Sequence, residues 1–307
     1  MPASHATVIV NPMAGGHSAG KEWPKMMEQL RKVGLSFEFE FTRKAGHAAE
    51  IAARAIDEGQ GLLVAVGGDG TVSEVANAIL RSGKAAELTL AIVPAGTAHA
   101  LVYSLGISED CVQACSRLAC GRKIQIDVGV VSCRSQGHQV ERFFVNEAST
   151  GLSAEIVDSW RTLPTQSGRS ANLPLRTLAG LRAAASHQNR VVKLRVGDNT
   201  ESTCVCSVFI ANGRYCADKM LIAPHASLDD GFLDVIIAAD VSKAELLRMR
   251  PSLYDGTHLR HAKMSEKKVT EITVEAEEPL LVEADGDVIG QTPASFRILP
   301  RALNVLT

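Results

Sequence analysis

Four short apolar runs, each leading into a turn of glycines, prolines and small polar residues and then into a helical pattern, constrain how the first third of this chain can fold. The runs are ATVIV (6–10), LSFEFEF (35–41), LLVAV (62–66) and LTLAIV (88–93), with helical patterns around 21–33, 46–58, 71–82 and 98–105. Runs this short suit strands, and the spacing between them suits helices. Four β-α units in series predict a parallel, twisted sheet covered by helices on both faces. Parallel order gathers the four turns at the carboxyl edge of the sheet, where ligands of such sheets bind.

The turns are NPMAGG (11–16), FTRKAGHAAE (41–50), GGDGT (67–71) and PAGT (94–97). Glycine lets the backbone take positive φ and lets a ligand approach main-chain N–H groups. The helix that follows adds the positive end of its dipole. Together these features predict a phosphate cradle built from main chain. In the third turn, Thr71 with Glu74 fits a capping box. Val72, Val75, Ala76, Ile79 and Leu80 then form an apolar helix face. Asp69 stands among the glycines at the tip. A carboxylate beside phosphates needs a cation between them, so Mg²⁺ is its expected partner. Neither G-x-x-x-x-G-K-[ST] nor G-x-G-x-x-G after the first strand is present.

From about residue 124 strand follows strand: IQIDVGVV, RFFVNEA, VVKLRV, CVCSVFIANG, FLDVIIAA, VTEITVEA, LLVEAD, SFRIL and ALNVL. Turn residues punctuate them at 229–231 and 285–287, and helical patterns interrupt them near 173–188 and 242–249. The expectation is therefore α/β plus β: a parallel α/β nucleotide-binding domain over 1–124 and a mainly antiparallel β domain over 125–307. With 307 residues, of which 46% are hydrophobic, the chain can bury a core in each. A net charge of −2 argues against nucleic acid as a partner. No apolar run approaches the roughly 20 residues of a membrane span. The N-terminus does not read as a secretory signal. Seven cysteines without a CxxC pair read as free thiols, and the expected location is cytoplasmic.

Six stretches, in order, resemble the diacylglycerol kinase catalytic domain family, and most closely its bacterial soluble lipid kinases: NPMAGG, VAVGGDGT, IVPAGT, FIANGRY, APHASLDDGFLDV and DGDVIGQTPASFRILPRALNVL. Sphingosine and ceramide kinases belong to the same family, and NAD kinases are distant relatives. The resemblance covers nearly the whole chain. It implies an ATP-dependent lipid kinase acting on the hydroxyl of diacylglycerol or a related long-chain lipid alcohol. It implies ATP in a cleft between the α/β domain and a β-sandwich domain, with Mg²⁺. Carried over by position, the ATP contacts are Asn11, Pro12 and the residues on to Gly15, then Thr42, Gly67, Gly68, Asp69, Gly70, Thr71 and the residues on to Ser73, and Thr97. Asp69 acts with the catalytic Mg²⁺. A second, structural Mg²⁺ falls on Ser227, Asp230 and Phe232, the first and last through main-chain carbonyls. The catalytic base falls on Asp287 of the Asp285-Gly286-Asp287 turn.

The chain departs from the family's pattern at two places. The base position carries Asp where the family has Glu. After PAGT, the family's Asn-Asp and Arg are replaced by His99, Ala100 and Tyr103, with His99 either a hydrogen-bonding substitute or a helix-surface residue. Residues 159–197 contain no acid and carry Arg161, Arg169, Arg176, Arg182, Arg190, Lys193 and Arg195 among leucines. That stretch is a candidate for peripheral contact with an anionic membrane surface, where the lipid substrate resides; its alternative is a solvated face with counter-charges elsewhere in the fold. The C-terminal strands are a candidate homodimer edge. Two competing readings remain. One is NAD kinase, suggested by GGDGT and by Asn146-Glu147; the other is a degenerate kinase fold that binds lipid or nucleotide without turnover, suggested by Ala100 and Asp287.

Overall fold

A computed structural model describes residues 5–96, 99–161, 163, 173–217 and 219–307, with the side chains of residues 161, 173 and 174 excepted. The chain forms two compact units. Unit 1 comprises residues 1–127 and Pro300–Thr307, and unit 2 comprises Val128–Leu299.

Unit 1 is the parallel α/β domain. Its strands are β1 (Ala6–Val10), β2 (Phe37–Phe41), β3 (Leu62–Gly67) and β4 (Thr89–Pro94), in the spatial order β4-β3-β1-β2. All neighbours are parallel, with Ala6 level with Phe37 on one side and Leu62 on the other. β1 and β3 are buried along their whole length, which is why they read as continuous apolar runs. The helices are α1 (Ala14–Lys32), α2 (His47–Asp57), α3 (Asp69–Arg81), α4 (Ala100–Ser104) and α5 (Cys111–Arg117). Trp23 of α1 packs on Phe39 of the edge strand β2, ring centroids 5.0 Å apart. Met26 and Leu30, at helical spacing from Trp23, are fully buried beside β1 and β3.

Unit 2 is antiparallel. Its strands are the far part of β5 (Lys123–Ser135), β6 (His138–Phe144), β7 (Glu147–Gly151), β8 (Arg190–Val196), β9 (Asn199–Ala211), β10 (Leu233–Ala239), β11 (Met264–Val269), β12 (Glu271–Ala276), β13 (Leu281–Ala284) and the near part of β14 (Asp287–Leu306). β9 is long enough to pair with β7, β8 and β10, and β8, β12, β14 and β13 continue the pairing. The inner residues, among them Phe144, Val208, Val235, Ile272 and Phe296, form one core. The helices are α6 (Leu152–Arg161), α7 (Leu173–Ser186), α8 (Lys243–Met249) and α9 (Ser252–Asp255), followed by a 3₁₀ turn, Thr257–Arg260. α6 was not expected from the sequence. RFFVNEA, which reads as one strand, is two strands broken at Val145-Asn146, for a reason given below.

The sequence reading placed 125–307 in the second domain, but the last eight residues return to unit 1. Val305 and Leu306 pair in parallel with Leu90 and Ala91 of β4. Asn304, 2% exposed, secures this return: its Nδ2 donates toward the carbonyls of Ala85, Ala86 and Leu88 at 2.8–3.1 Å. Arg301 donates its main-chain N–H to the fully buried Asp127 carboxylate at 2.7 Å. Removing a buried donor leaves its acceptors unsatisfied, at about 1–3 kcal/mol. Asn304→Ala is accordingly expected to lower the stability of unit 1 by that amount, read as a shift in a urea unfolding midpoint. An unchanged midpoint would mean that β14 is held without Asn304.

Candidate active site

The four turns in unit 1 are tied into one network by main chain and by one asparagine. Asn11 follows β1 and donates its N–H to Val66 O (2.9 Å) of β3. Its Oδ1 accepts from Met13 N (3.1 Å), and its Nδ2 donates to Thr71 Oγ1 (3.1 Å) in α3. Thr42 N and Ala95 N extend the same network to Val10 O and Gly67 O. Beyond Asn11 and Pro12, Gly15, Gly16 and His17 all take left-handed conformations, with φ of 61°, 65° and 75°. Regular helix begins only after them. This is where glycine's conformational freedom is used.

The glycines of GGDGT are also used in packing, which the sequence does not announce. None of Gly67, Gly68 and Gly70 has positive φ. A Cβ on Gly67 would lie 2.5 Å from Thr71 Oγ1, and one on Gly96 would lie 2.6 Å from Gly68 Cα. The missing side chains at 67 and 96 therefore let the third and fourth turns pack against each other and against α3.

The capping box is absent: the N-cap of α3 is Gly68, with no side-chain cap. Thr71 lies inside the helix and is 5% exposed. Glu74 reaches instead to α2, accepting from Gly46 N (2.8 Å) and Ala48 N (3.1 Å). Asp69, the first residue of α3, accepts from Ala100 N (3.0 Å) at the start of α4. Carboxylates of α3 thus occupy the N-termini of both α2 and α4, which the sequence reading had offered to phosphates. Anion binding at those two ends would set like charges together. Ser73 is only 1% exposed, and its hydroxyl is buried. His99 is 8% exposed and packs edge-on to Tyr103, so it is a buried residue rather than a helix-surface one. Thr97 lies outside the described residues.

Unit 2 carries the second group of candidate residues. β13 and β14 are joined by the two-residue connection Asp285-Gly286, with φ of 46° and 81°, the left-handed pair that a tight hairpin of this twist requires. The Asp285 carboxylate accepts three consecutive main-chain N–H groups: Val145 (2.9 Å), Asn146 (3.0 Å) and Glu147 (3.2 Å). Three N–H groups turned toward one carboxylate cannot also extend a ladder, which is why RFFVNEA breaks into β6 and β7. Asn146, 5% exposed, also receives Asn212 N and Gly213 N at its carbonyl and donates its Nδ2 to Tyr215 O (2.8 Å). Its side chain thus braces the bend.

Asp287 lies one step past the turn, its side chain about a quarter exposed, with Arg142 Nη2 of β6 at 3.5 Å. Beneath the turn sits Glu283, which the sequence reading missed. It is 1% exposed and accepts from Ser149 Oγ (2.6 Å) and Gly286 N (3.0 Å). Burial pushes its carboxyl up to about 7, against the two hydrogen bonds and with the Asp285 charge adding to the rise. A buried Glu within a strand carries no distinctive sequence signal.

Ser227, Asp230 and Phe232 share one loop before β10. Asp230 Oδ1 accepts from Phe232 N (3.1 Å), and its Oδ2 pairs with Lys268 of β11 at 2.5 Å. Ser227 Oγ donates to Asp229. Asp234, also missed from sequence, is 1% exposed with Lys268 3.9 Å away, and burial raises its carboxyl to about 6. A cation on this loop would share Asp230 with the Lys268 ammonium. Among the described residues, no cluster of three or more His, Cys, Asp or Glu forms a metal site, and all seven cysteines are free.

α6 and α7 enclose a cavity of about 640 Å³ lined by Leu163, Leu175, Leu178, Ala179 and Ala183, with Glu155, Asp158 and Arg182 among its polar members. Trp160 of α6 donates to Arg176 O (3.2 Å) of α7, and the Arg176 guanidinium lies 3.9 Å over the indole. Leu178 is 64% and Leu181 45% exposed.

Residues 5–131 match the diacylglycerol kinase catalytic domain, and residues 149–307 match the YegS C-terminal NAD kinase beta sandwich-like domain. The chain belongs to the diacylglycerol kinase catalytic domain family, in the form that carries this C-terminal domain. It is 25% identical over 303 residues to the diacylglycerol kinase of Staphylococcus carnosus (strain TM300), covering 98% of this chain and 94% of that one. The diacylglycerol kinase of Staphylococcus aureus (strain bovine RF122 / ET3-1) is 27% identical over 300 residues, covering 98% and 91%. A crystal structure of a diacylglycerol kinase from Bacillus anthracis str. Sterne shares the fold, with a TM-score of 0.74 at 19% identity over 100% of this chain and 97% of that one. The class of protein is thus a lipid kinase of the diacylglycerol kinase type, and ATP is the phosphoryl donor that the class implies.

The buried Glu283 makes stability depend on pH. Its unfolded carboxyl titrates near 4.5 and its folded one near 7. Between those values the folded chain holds the extra proton, so stability falls as pH rises through this window. Glu283→Gln, whose amide can serve both hydrogen-bond partners without a charge, is expected to raise the melting temperature at pH 8. The gain should shrink toward pH 5. A gain that does not change with pH would place the buried charge elsewhere.

Proposed function

We propose that this chain transfers the γ-phosphoryl group of ATP to the hydroxyl of diacylglycerol or a related long-chain lipid alcohol. The observation that carries the reading is a carboxylate, Asp69, held by Ala100 N–H at the head of α3 beside the turn that Asn11 ties to it. Gly15 and Gly67 to Gly70 would offer main-chain N–H groups to the phosphates, with Asn11 and Pro12 shaping the first turn and Thr42, Thr71 and Thr97 completing the nucleotide contacts. Asp69 would hold Mg²⁺, which screens phosphate charge when bound; one carboxylate with the remaining sites left to phosphate and water suits that ion. A second Mg²⁺ on Ser227, Asp230 and Phe232 would brace its loop alongside Lys268. Asp287 would accept the hydroxyl proton as the lipid oxygen attacks. Arg142 would orient that carboxylate.

The acceptor's acyl chain would find apolar surface in the cavity between α6 and α7. Membrane contact would fall to α7, which exposes Leu178 and Leu181 beside Arg182. The wider basic stretch 159–197 does not act as one patch. Arg190 pairs with Glu278 (2.8 Å) and Arg195 with Glu275 (3.2 Å), while Arg169 lies outside the described residues. Among the described residues, no helix is long and apolar enough to cross a membrane, so contact would be peripheral. NAD kinase is the less favoured reading, because Asn146 is committed to the β6–β7 bend.

Labelled ATP with Mg²⁺, offered diacylglycerol, ceramide, sphingosine and NAD, tests the reading. Label is expected in diacylglycerol or a related lipid; label in NAD alone would overturn it. Asp287→Asn is expected to lower kcat by about 10²–10⁴-fold, the usual contribution of a general base. Asp69→Asn keeps an acceptor for Ala100 N–H but loses the charge, and turnover should fall by at least about 10²-fold. Wild-type turnover in either variant would remove that residue from the mechanism. Vesicles of phosphatidylcholine with and without phosphatidylglycerol test the docking face. Binding should favour the anionic vesicles and weaken on Leu178→Ser with Leu181→Ser. Equal binding to both would rule the face out.

A further inference from the structure

We propose that Glu283 is a positioning residue for phosphoryl transfer: through Gly286 N–H it sets the direction in which the Asp285-Gly286-Asp287 turn presents Asp287. The inference rests on the reading of Asp287 as the base. Three observations support it. Gly286 immediately precedes Asp287, and the Glu283 Oε2 contact at 3.0 Å holds the N–H of the Asp285–Gly286 peptide at the centre of the turn. Glycine at φ 81° has no side chain to pack, so without this contact the peptide could rock and carry Asp287 with it. The other end of the turn is already immobile, because the Asp285 carboxylate is bound to the β6–β7 bend. Glu283 supplies a second restraint, on the central peptide of the turn, one residue before Asp287.

The second observation is the register. Pairing between β13 and β14 shifts between Val282 and Glu283. Such irregularities re-aim the side chains that follow them. Here the extra residue is Ile289 of β14, so the irregularity lies two residues past Asp287, while Glu283 sits opposite Val288, where Ser149 of β7 donates to its other oxygen.

The third is chemical. A buried carboxylate with only two donors is a costly way to fill an apolar core, and an apolar side chain would fill the space more favourably. What an apolar residue cannot do is grip the Gly286 peptide. The two contacts are also separable, since Ser149 anchors the carboxylate to β7 whereas Gly286 links it to the base.

The test compares Glu283→Ala, Glu283→Asp, Glu283→Gln and Ser149→Ala, with Asp287→Asn as reference. Glu283→Ala and the shorter Glu283→Asp, which serves if the alanine variant does not fold, should lower kcat by about 10–10²-fold, since a displacement of about 1 Å can cost that much. KM for ATP should stay unchanged. Glu283→Gln, whose amide oxygen can accept Gly286 N–H, should recover most of kcat. Ser149→Ala should lower the melting temperature while holding kcat within about twofold, because the contact that steers the turn survives. Wild-type kcat in Glu283→Ala or Glu283→Asp, with Asp287→Asn inactive, would overturn the inference and leave the base assignment standing. So would a loss of kcat that tracks the loss of stability equally in the Ser149 and Glu283 variants. Full turnover in Asp287→Asn would overturn both.

Discussion

A carboxylate drawn into a fold must find donors, and most of the arrangement of both candidate sites follows from where five of them, three buried and two partly exposed, find theirs. Asp285 takes three consecutive N–H groups of the β6–β7 bend, Glu283 takes Gly286 N–H, and Asp127 takes Arg301 N–H. In unit 1, Asp69 and Glu74 take the exposed N–H groups at the heads of α4 and α2. Each is an acid bound to main chain. Such bonds are charge-assisted and directional, and they hold turns that no regular ladder reaches.

The consequence for unit 1 is that the helix N-termini are not equivalent. A helix start attracts any anion, and a protein carboxylate competes for it as effectively as a phosphate does. With α2 and α4 closed by acids, the proposed scheme gives phosphate to the left-handed turn after β1 and the head of α3. Asn11 joins those two through Met13 and Thr71. Asp69 serves twice in the proposed scheme, as anchor for α4 and as the acid that would face the metal.

In unit 2 the same device places a turn. The Asp285 carboxylate draws β13 and β14 toward the bend and breaks one apparent strand into two. Its positive φ is tolerated because the side chain is over-determined by its three bonds. Asp287 then projects beside Arg142 from a connection held on both sides. Substituting Asp for Glu shortens the reach of the proposed base by one methylene, so the placement of its backbone matters more than it would for the longer side chain.

The alternation of strand and helix, the four strand-end turns, the change to antiparallel β after residue 124 and the prominence of Asp69 and Asp287 were legible in the order of residues. Periodicity and turn chemistry are local, and hydrophobic burial imposes them on the chain directly. The sequence left hidden every use of a polar group that depends on a partner far along the chain. Glu74 sits at capping-box spacing from Thr71, yet its partners are 26 and 28 residues away at the start of α2. Gly67 and Gly96 read as openings for a ligand, yet the space they leave is filled by Thr71 and Gly68. Asp285 and Glu283 look like any acids around a hairpin until β7 is laid beside them. The return of β14 to β4 is equally invisible, since a strand pattern carries no address for its neighbour. Local pattern determined which elements form; which acid meets which N–H group was decided only when packing brought distant segments within hydrogen-bond distance.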